Sequence, residues 1–406
     1  MFSNLTKFFK RINFSRPESA EIIIFDEANS ALIQTVIPEN FTISIFKMRP
    51  MEIYISPRIL FHFIQNLRDF KFRSEVVSNR GLFYKVFKQL FCIYIKADLI
   101  SRNPKAIITS TDNSSNFGWL SENYHQAPCI AIQNGVRLNY DSMRFSNNYY
   151  YCQHFFCFGE REVIEYPKLG YKVDYFYPVG SLNLSNNFDM RLSGEDPSYD
   201  LLVVSCWRGN IGFSQDVKDS MNSMRLMDEM LSRYLAHLDL KAAIILRSQR
   251  DSDQWVMTEI GMSEEDYFRS IYGDSIQIID ANFSARNIYP VMQRSDIVIS
   301  GFATTCLIEA YAMGKKIIYG NFCGTNKYHV DFHPEIIFEG DENSYGIFAT
   351  RLDELRTISN EVYLREHKDM MDYYMRNPST CFASDEIRKS ISSILESELH
   401  NKVNAL

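Results

Sequence analysis

Several things are missing from this sequence, and each absence narrows what it can be. No apolar run reaches the roughly 18 residues that a membrane-spanning helix needs. The eight cysteines form no CxxC pair and no HExxH occurs, so the ligand spacings of zinc sites are missing. Asp251 and Asp253 are spaced as a metal-binding acid pair, but they lie in a polar loop beside Arg250 rather than directly after a strand. His329 and His333 are four apart, with Pro334 breaking any helix that would present both. No metal and no cofactor are therefore expected. There is no P-loop, no internal repeat and no low-complexity tract. Positive charge is short as well. Lys and Arg total 43 against 50 Asp and Glu, a net charge of −7, which excludes the broad basic surface of a general nucleic-acid binder.

What is present is the pattern of a soluble α/β protein. The 406 residues, 46% hydrophobic and 23% charged, are enough for two domains. Several cysteines sit inside apolar runs, as reduced thiols do in a cytoplasmic protein. Short apolar runs suited to buried parallel strands occur at Glu21–Phe25, Phe41–Phe46, Ala106–Ser110, Cys129–Gln133, Tyr150–Phe158 and Tyr171–Phe176. Helical periodicity fills the intervals at Pro57–Phe70, Gly81–Ile95, Ser115–Asn123 and Glu160–Tyr166. The polar stretch Leu184–Tyr199 reads as a linker. Strands resume at Asp200–Cys206, Lys241–Leu246 and Ser275–Ile279, with helices at Val217–Ala236 and Arg286–Gln293. The expected domains are 1–183 and 200–380, followed by a C-terminal helical segment, 381–406.

The most organised stretch is Arg294–Gly324. Asp296–Ser300 is an apolar strand, and Gly301 breaks it. Thr304 and Thr305 occupy the place of a helix N-cap, and Gly314 the C′ position that ends the helix. A helix N-terminus offers unpaired N–H groups and partial positive charge to an anion. Two threonine hydroxyls there add donors for phosphate, and Glu309, one turn on, is placed to accept from ribose hydroxyls.

In open α/β sheets ligands bind outside the carboxyl ends of the strands. That rule selects Asp112 and Asn113, then Gln133, Asn134, Gly135 and Arg137, then Glu160 and Arg161, from the first half. From the second half it selects Ser205, Trp207 and Arg208, then Arg247, Gln249 and Arg250, and finally Ser300, Gly301, Thr304 and Thr305. Arginine suits phosphate because its planar fork donates two parallel hydrogen bonds. Asp112 and Glu160 are the carboxylates available for proton transfer.

Together, Ser300-Gly301-Phe302-Ala303-Thr304-Thr305, Glu309-Ala310 and Gly314 resemble the donor-side motif of glycosyltransferases of the GT-B architecture. The similarity is nearest to the bacterial transferases of surface carbohydrate and lipopolysaccharide biosynthesis. It extends to Asp112-Asn113, Gln133-Asn134-Gly135-Val136-Arg137 and Phe158-Gly159-Glu160-Arg161.

The resemblance implies two Rossmann-like domains with mostly parallel sheets facing a central cleft, and final helices, such as Ser384–Leu399, that pack back on the first domain. It implies a nucleotide-sugar donor (CMP-linked acidic sugars such as Kdo, or UDP-, GDP- or TDP-linked ones) and a glycan or lipid-linked glycan acceptor, with no metal. Asp112 and Glu160 would then be catalytic. Arg208, Arg247, Arg250, Ser300, Gly301, Thr304, Thr305 and Glu309 would hold the donor. Asn113, Gln133, Asn134, Gly135 and Arg137 would hold acceptor or sugar. The same resemblance admits a nucleotide-sugar 2-epimerase-like isomerase, a CDP-alditol phosphotransferase, or a non-catalytic partner that keeps the fold.

The N-terminus stands apart. In residues 1–16, Phe2, Leu5, Phe8, Phe9 and Ile12 can share one helical face, while Lys7, Lys10, Arg11 and Arg16 supply charge with no acid before Glu18. This predicts an amphipathic helix lying on the inner leaflet of the membrane.

Overall fold

The computed structural model describes residues 11–48, 52–69, 82–137, 150–192, 197–205, 215–247, 262–280, 288–301, 304–321, 335–337 and 342–404. The chain folds into two compact units. One comprises Met1–Asn134, Asp141–Asn183 and Phe382–Leu406, the other Gly135–Tyr140 and Leu184–Cys381.

The strands of the first unit are β1 (Ile12–Asn13), β2 (Ile22–Phe25), β3 (Ile43–Phe46), β4 (Ile53–Tyr54), β5 (Ala106–Thr109), β6 (Cys129–Ile132), β7 (Tyr150–Cys157) and β8 (Tyr171–Pro178). Six of them form one sheet in the order β3-β2-β5-β6-β7-β8, with every neighbouring pair parallel. Both faces of this sheet are covered, which is why its central strands are apolar at every position rather than at alternate ones. Ile23, Phe25, Ile107, Cys129 and Ala131 pack on one side with Leu99, Phe117 and Tyr166. Ile22, Ile24, Ile108, Ile130 and Ile132 pack on the other. There they meet Ile387, Ile391 and Ile394 of the C-terminal helix Ala383–Asn404.

The second unit holds β9 (Tyr199–Val204), β10 (Ala242–Ile245), β11 (Gln277–Ile279), β12 (Ser295–Ser300), β13 (Lys316–Asn321) and β14 (Glu335–Ile337). Their order is β11-β10-β9-β12-β13-β14, again all parallel. The first strand is central, the next two step outward on one side, and the last three step outward on the other. This is the doubly wound, Rossmann-like arrangement.

Three expectations need correction. The N-terminal amphipathic helix cannot run to Arg16, because Ile12–Asn13 is a strand paired in parallel with Ile53–Tyr54. Backbone bonds from Ile53 N–H to Arg11 O (2.9 Å) and from Ile55 N–H to Asn13 O (2.8 Å) hold it there; residues 1–10 lie outside the described residues. The linker expected at Leu184–Tyr199 begins inside the helix Leu182–Asn187, with Leu184 buried. The helix expected at Gly81–Ile95 continues to Arg102. Its last turn is held by a buried ion pair in which Arg102 Nε meets Asp98 Oδ1 at 2.5 Å.

Candidate functional site

In a doubly wound sheet the crevice lies where the winding reverses, outside the carboxyl ends of the two central strands. In the second unit that point lies between β9 and β12. β12 runs into buried Ser300 and then Gly301. A Cβ at Gly301 would stand 3.1 Å from Met224 Cα and Cγ and 3.2 Å from Met227 Sδ. A side chain here would push the helix Gln215–Leu235 or its methionines aside by a few tenths of an ångström, so glycine at this position eases a close packing contact.

Thr304 is the N-cap of the helix Thr305–Ala312, and its hydroxyl oxygen accepts Leu307 N–H at 3.1 Å. Thr305 Oγ1 accepts Val136 N–H at 3.0 Å, which fastens the short segment Gly135–Tyr140 to this unit. A hydroxyl that accepts one bond keeps its own proton to donate, so Thr305 can still serve an anion at the helix N-terminus. Glu309 is buried, and the Tyr289 hydroxyl reaches its two carboxylate oxygens at 3.3 and 3.2 Å. The Glu309 carboxylate thus accepts from a core tyrosine.

At the ends of β9 and β10 a residue outside the sequence-selected set organises the backbone. Glu264 is buried at the start of the helix Glu264–Tyr272. It accepts from the Ser205 hydroxyl and, at 3.1 Å, from Arg247 N–H. Arg247 is thus pinned through its backbone while its side chain is exposed. The signal for Glu264 was the N-cap Ser263 followed by three acids, Glu264, Glu265 and Asp266. Arg208 and Arg250 lie outside the described residues.

In the first unit the winding reverses between β2 and β5. Asp26 follows β2 at once, buried, with a left-handed φ of 77° that non-glycine residues seldom adopt. Its carboxylate accepts Ala28 N–H (3.2 Å) and the Thr111 hydroxyl (3.3 Å). Asp26 was not selected from the sequence, although the carboxyl-end rule applied to Glu21–Phe25 points to it.

At the end of β5, Thr109 and the following Ser110 donate to the carbonyls of Phe25 (2.8 Å) and Ala28 (3.0 Å), which ties the two strand ends together. Asp112 is fully buried and accepts Asn134 N–H at 3.4 Å; Asn113 is half-buried. Asp26, Asp112, Asn113 and Asn134 therefore sit on one edge of this sheet.

Gln133 is turned inward. Its carbonyl oxygen accepts Phe158 N–H at 2.9 Å, and its amide donates to the Tyr166 hydroxyl (3.0 Å) and to Glu162 (3.4 Å). Its side chain joins the ends of β6 and β7. Glu160 stands exposed at the start of the helix Glu160–Glu165. Glu162, in the same turn, is buried and accepts Gly159 N–H at 3.0 Å, with the Arg161 guanidinium 3.5 Å away. Burial pushes the Glu162 carboxyl above its ordinary range, against the pull of Arg161 and the Gly159 amide. Gly135 and Arg137 fold with the second unit, and Arg137 is buried. Among the described residues no group of three acids, histidines or cysteines is disposed to hold a metal ion.

No family model matches this chain, and no curated protein matches it in sequence. Solved structures match it in fold. The UDP co-structure of S. aureus MnaA is 11% identical, covers 92% of this chain and 96% of its own, and gives a TM-score of 0.50. A glycosyltransferase from Rickettsia africae ESF-5 is 13% identical, covers 95% and 100%, and gives 0.46. The wall teichoic acid polymerase TagF is 9% identical, covers 93% and 90%, and gives 0.47. The MnaA likeness and the two sheets agree: the chain carries two Rossmann-like domains, the composition of the GT-B fold class.

Proposed function

We propose that this protein is a metal-independent glycosyltransferase that moves a sugar from a nucleotide-sugar donor to a glycan acceptor of lipopolysaccharide or capsule type. The observation that carries this reading is the Thr304–Thr305 cap at the winding reversal of the second sheet, where a doubly wound fold receives a nucleotide phosphate. That the structural neighbour MnaA was solved with UDP supports a nucleotide ligand for this fold. Kdo carried on CMP is one donor of this kind.

In this reading the first-turn amides and the Thr305 hydroxyl receive the phosphates, and the Arg247 side chain neutralises their charge as the sugar departs. Ser300 and Gly301 shape the floor, with Arg208 and Arg250 as further cationic donors. On the first unit, Asp112 takes the acceptor hydroxyl's proton and Glu160 is the second carboxylate. Asn113, Asn134, Gly135 and Arg137 orient the sugars, with Gln133 positioning the strand ends behind them. The acceptor is a glycan or lipid-linked glycan met at the cytoplasmic face, with the basic N-terminal stretch, residues 1–16, against the inner leaflet. Among the described residues no helix is long and apolar enough to cross a membrane.

The test is transfer from a panel of CMP-, UDP-, GDP- and TDP-sugars with wild type, Asp112→Asn and Arg247→Ala. Both variants are expected to lose transfer with melting temperatures retained; full activity in both removes the site assignment. Conversion of the donor without any acceptor identifies an isomerase instead. Donor phosphorus in the product identifies alditol-phosphate transfer.

A further inference from the structure

We infer that the outward face of the helix pair Pro57–Asn66 and Leu82–Arg102, together with the chain around Phe14, is a docking surface for an anionic lipid bilayer. The inference extends the contact proposed for residues 1–16 to folded elements and does not depend on it.

The first observation is concentrated apolar exposure. Leu60 (49%), Phe61 (56%) and Ile64 (66%) project from one side of the helix Pro57–Asn66, while Ile59 and Asn66 on the opposite side are buried. Phe83 (85%) and Phe87 (60%) are one turn apart on the packed neighbour helix, whose later residues Ile95 and Leu99 enter the core. Phe14 is 82% exposed. Exposed hydrophobics elsewhere among the described residues, such as Ile164, Met190 and Leu238, stand apart along the chain. Apolar side chains exposed together on two packed helices mark an interaction surface, whereas scattered single residues do not.

The second observation is placement. The β1–β4 ladder tethers the N-terminal chain at the foot of this face: β4 ends at Tyr54, Ser56 caps the helix that starts at Pro57, and Phe14 directly follows β1. The exposed Arg11 and Arg16 therefore flank a strand paired just ahead of the helix that starts at Pro57.

The third observation is charge, which selects the partner. Between Pro57 and Leu90 the sequence has seven Lys and Arg but only two acids, Asp69 and Glu75, in a chain of net charge −7. Arg58 and Arg68 are exposed on this element, as are Arg11 and Arg16 beside β1. Aromatic rings flanked by cations suit the boundary between acyl chains and anionic headgroups. A second copy of the chain would bring two cationic rims together, so charge disfavours self-association here.

The experiment is co-sedimentation of the full-length protein with vesicles of phosphatidylcholine alone and of phosphatidylcholine mixed with phosphatidylglycerol. Wild type is expected on the mixed vesicles and not on the neutral ones, with binding that falls as salt is raised. The variant Phe61→Gln/Ile64→Gln/Phe83→Gln is expected to partition about tenfold less at an unchanged melting temperature, because all three side chains are exposed. Arg58→Gln/Arg68→Gln should weaken binding on mixed vesicles, and Lys7→Gln/Lys10→Gln should weaken it less than the triple variant. The proposal is overturned if wild type ignores the mixed vesicles, if the triple variant binds as well as wild type, or if loss is confined to the Lys7/Lys10 variant. A lipid-free dimer that the triple variant dissolves overturns it too. None of these outcomes touches the transfer assay, so failure here leaves the catalytic reading standing.

Discussion

Replacing Thr305 by valine removes one hydroxyl and leaves shape almost unchanged, which makes it a clean probe of the second unit's helix start. Two losses follow. Val136 N–H, 3.0 Å from Thr305 Oγ1, loses its acceptor. A neutral bond of this kind contributes about 1 kcal/mol, and for a unit of this size each kcal/mol moves the melting temperature by about 2–4 °C. The other loss is toward ligand. A hydroxyl bond to a charged phosphate oxygen is worth about 1.5–3 kcal/mol, which weakens nucleotide binding about 10- to 150-fold.

Calorimetric titration with whichever of CMP, UDP, GDP and TDP gives the largest thermal shift measures the second loss, and fluorimetric melting without ligand measures the first. Thr305→Ser should restore both. Undiminished affinity in Thr305→Val would place the phosphate elsewhere and refute the reasoning. Equal loss in Thr305→Ser would show that methyl packing, not the hydroxyl, matters.

Two further outcomes concern stability. Gly314 ends the helix Thr305–Ala312 at φ 81°, and a Cβ there would come within 2.6 Å of Leu364 Cδ2. Gly314→Ala should cost about 2–3 kcal/mol from left-handed backbone strain and a displaced rotamer. Repeating it in a Leu364→Ala background should return the rotamer part in a thermal melt. In the first unit, the half-buried His154 stacks on Tyr175 and meets the Tyr177 hydroxyl at 3.0 Å. Burial holds its pKa down at about 4, from 6.5, against the pull of Asp174. Between those values the unfolded chain takes up a proton that the folded chain refuses. This contribution is therefore full above about pH 6.5 and lost as pH falls toward about 4. Allowing for partial solvent contact, melting curves from pH 7 to 4 should show wild type losing about 1–2 kcal/mol more than His154→Gln.

How far the site could be read from sequence differed by residue type. Ser115–Asn123 is a helix with the bounds its pattern predicts, because Ser114 caps it and its apolar positions recur at helical spacing. Thr304 is the N-cap it was expected to be, because capping is decided by neighbours three residues away. Gln133 could not be read this way. A glutamine after a strand looks alike whether it faces solvent or the core, and its partners Glu162 and Tyr166 lie 29 and 33 residues away. Glu309 is of the same kind, since only packing brings Tyr289 to it. Asp26 was within reach of the carboxyl-end rule, but its left-handed backbone was not. Ile12 fitted a helical face equally well, and the competing partner Ile53 lies far along the chain.

The amino-acid order by itself determined the strand and helix types and their alternation, hence a parallel-sheet protein, together with the capped helix start after β12. Those features depend on period, caps and breakers acting over a few residues. Folding in three dimensions decided which polar side chains face the core, that residues 135–140 join the second unit, and that β1 lies beside β4. It also decided that the C-terminal helix closes the first sheet. Each depends on contacts between residues distant in sequence, where burial and hydrogen-bond satisfaction, not local preference, select the outcome.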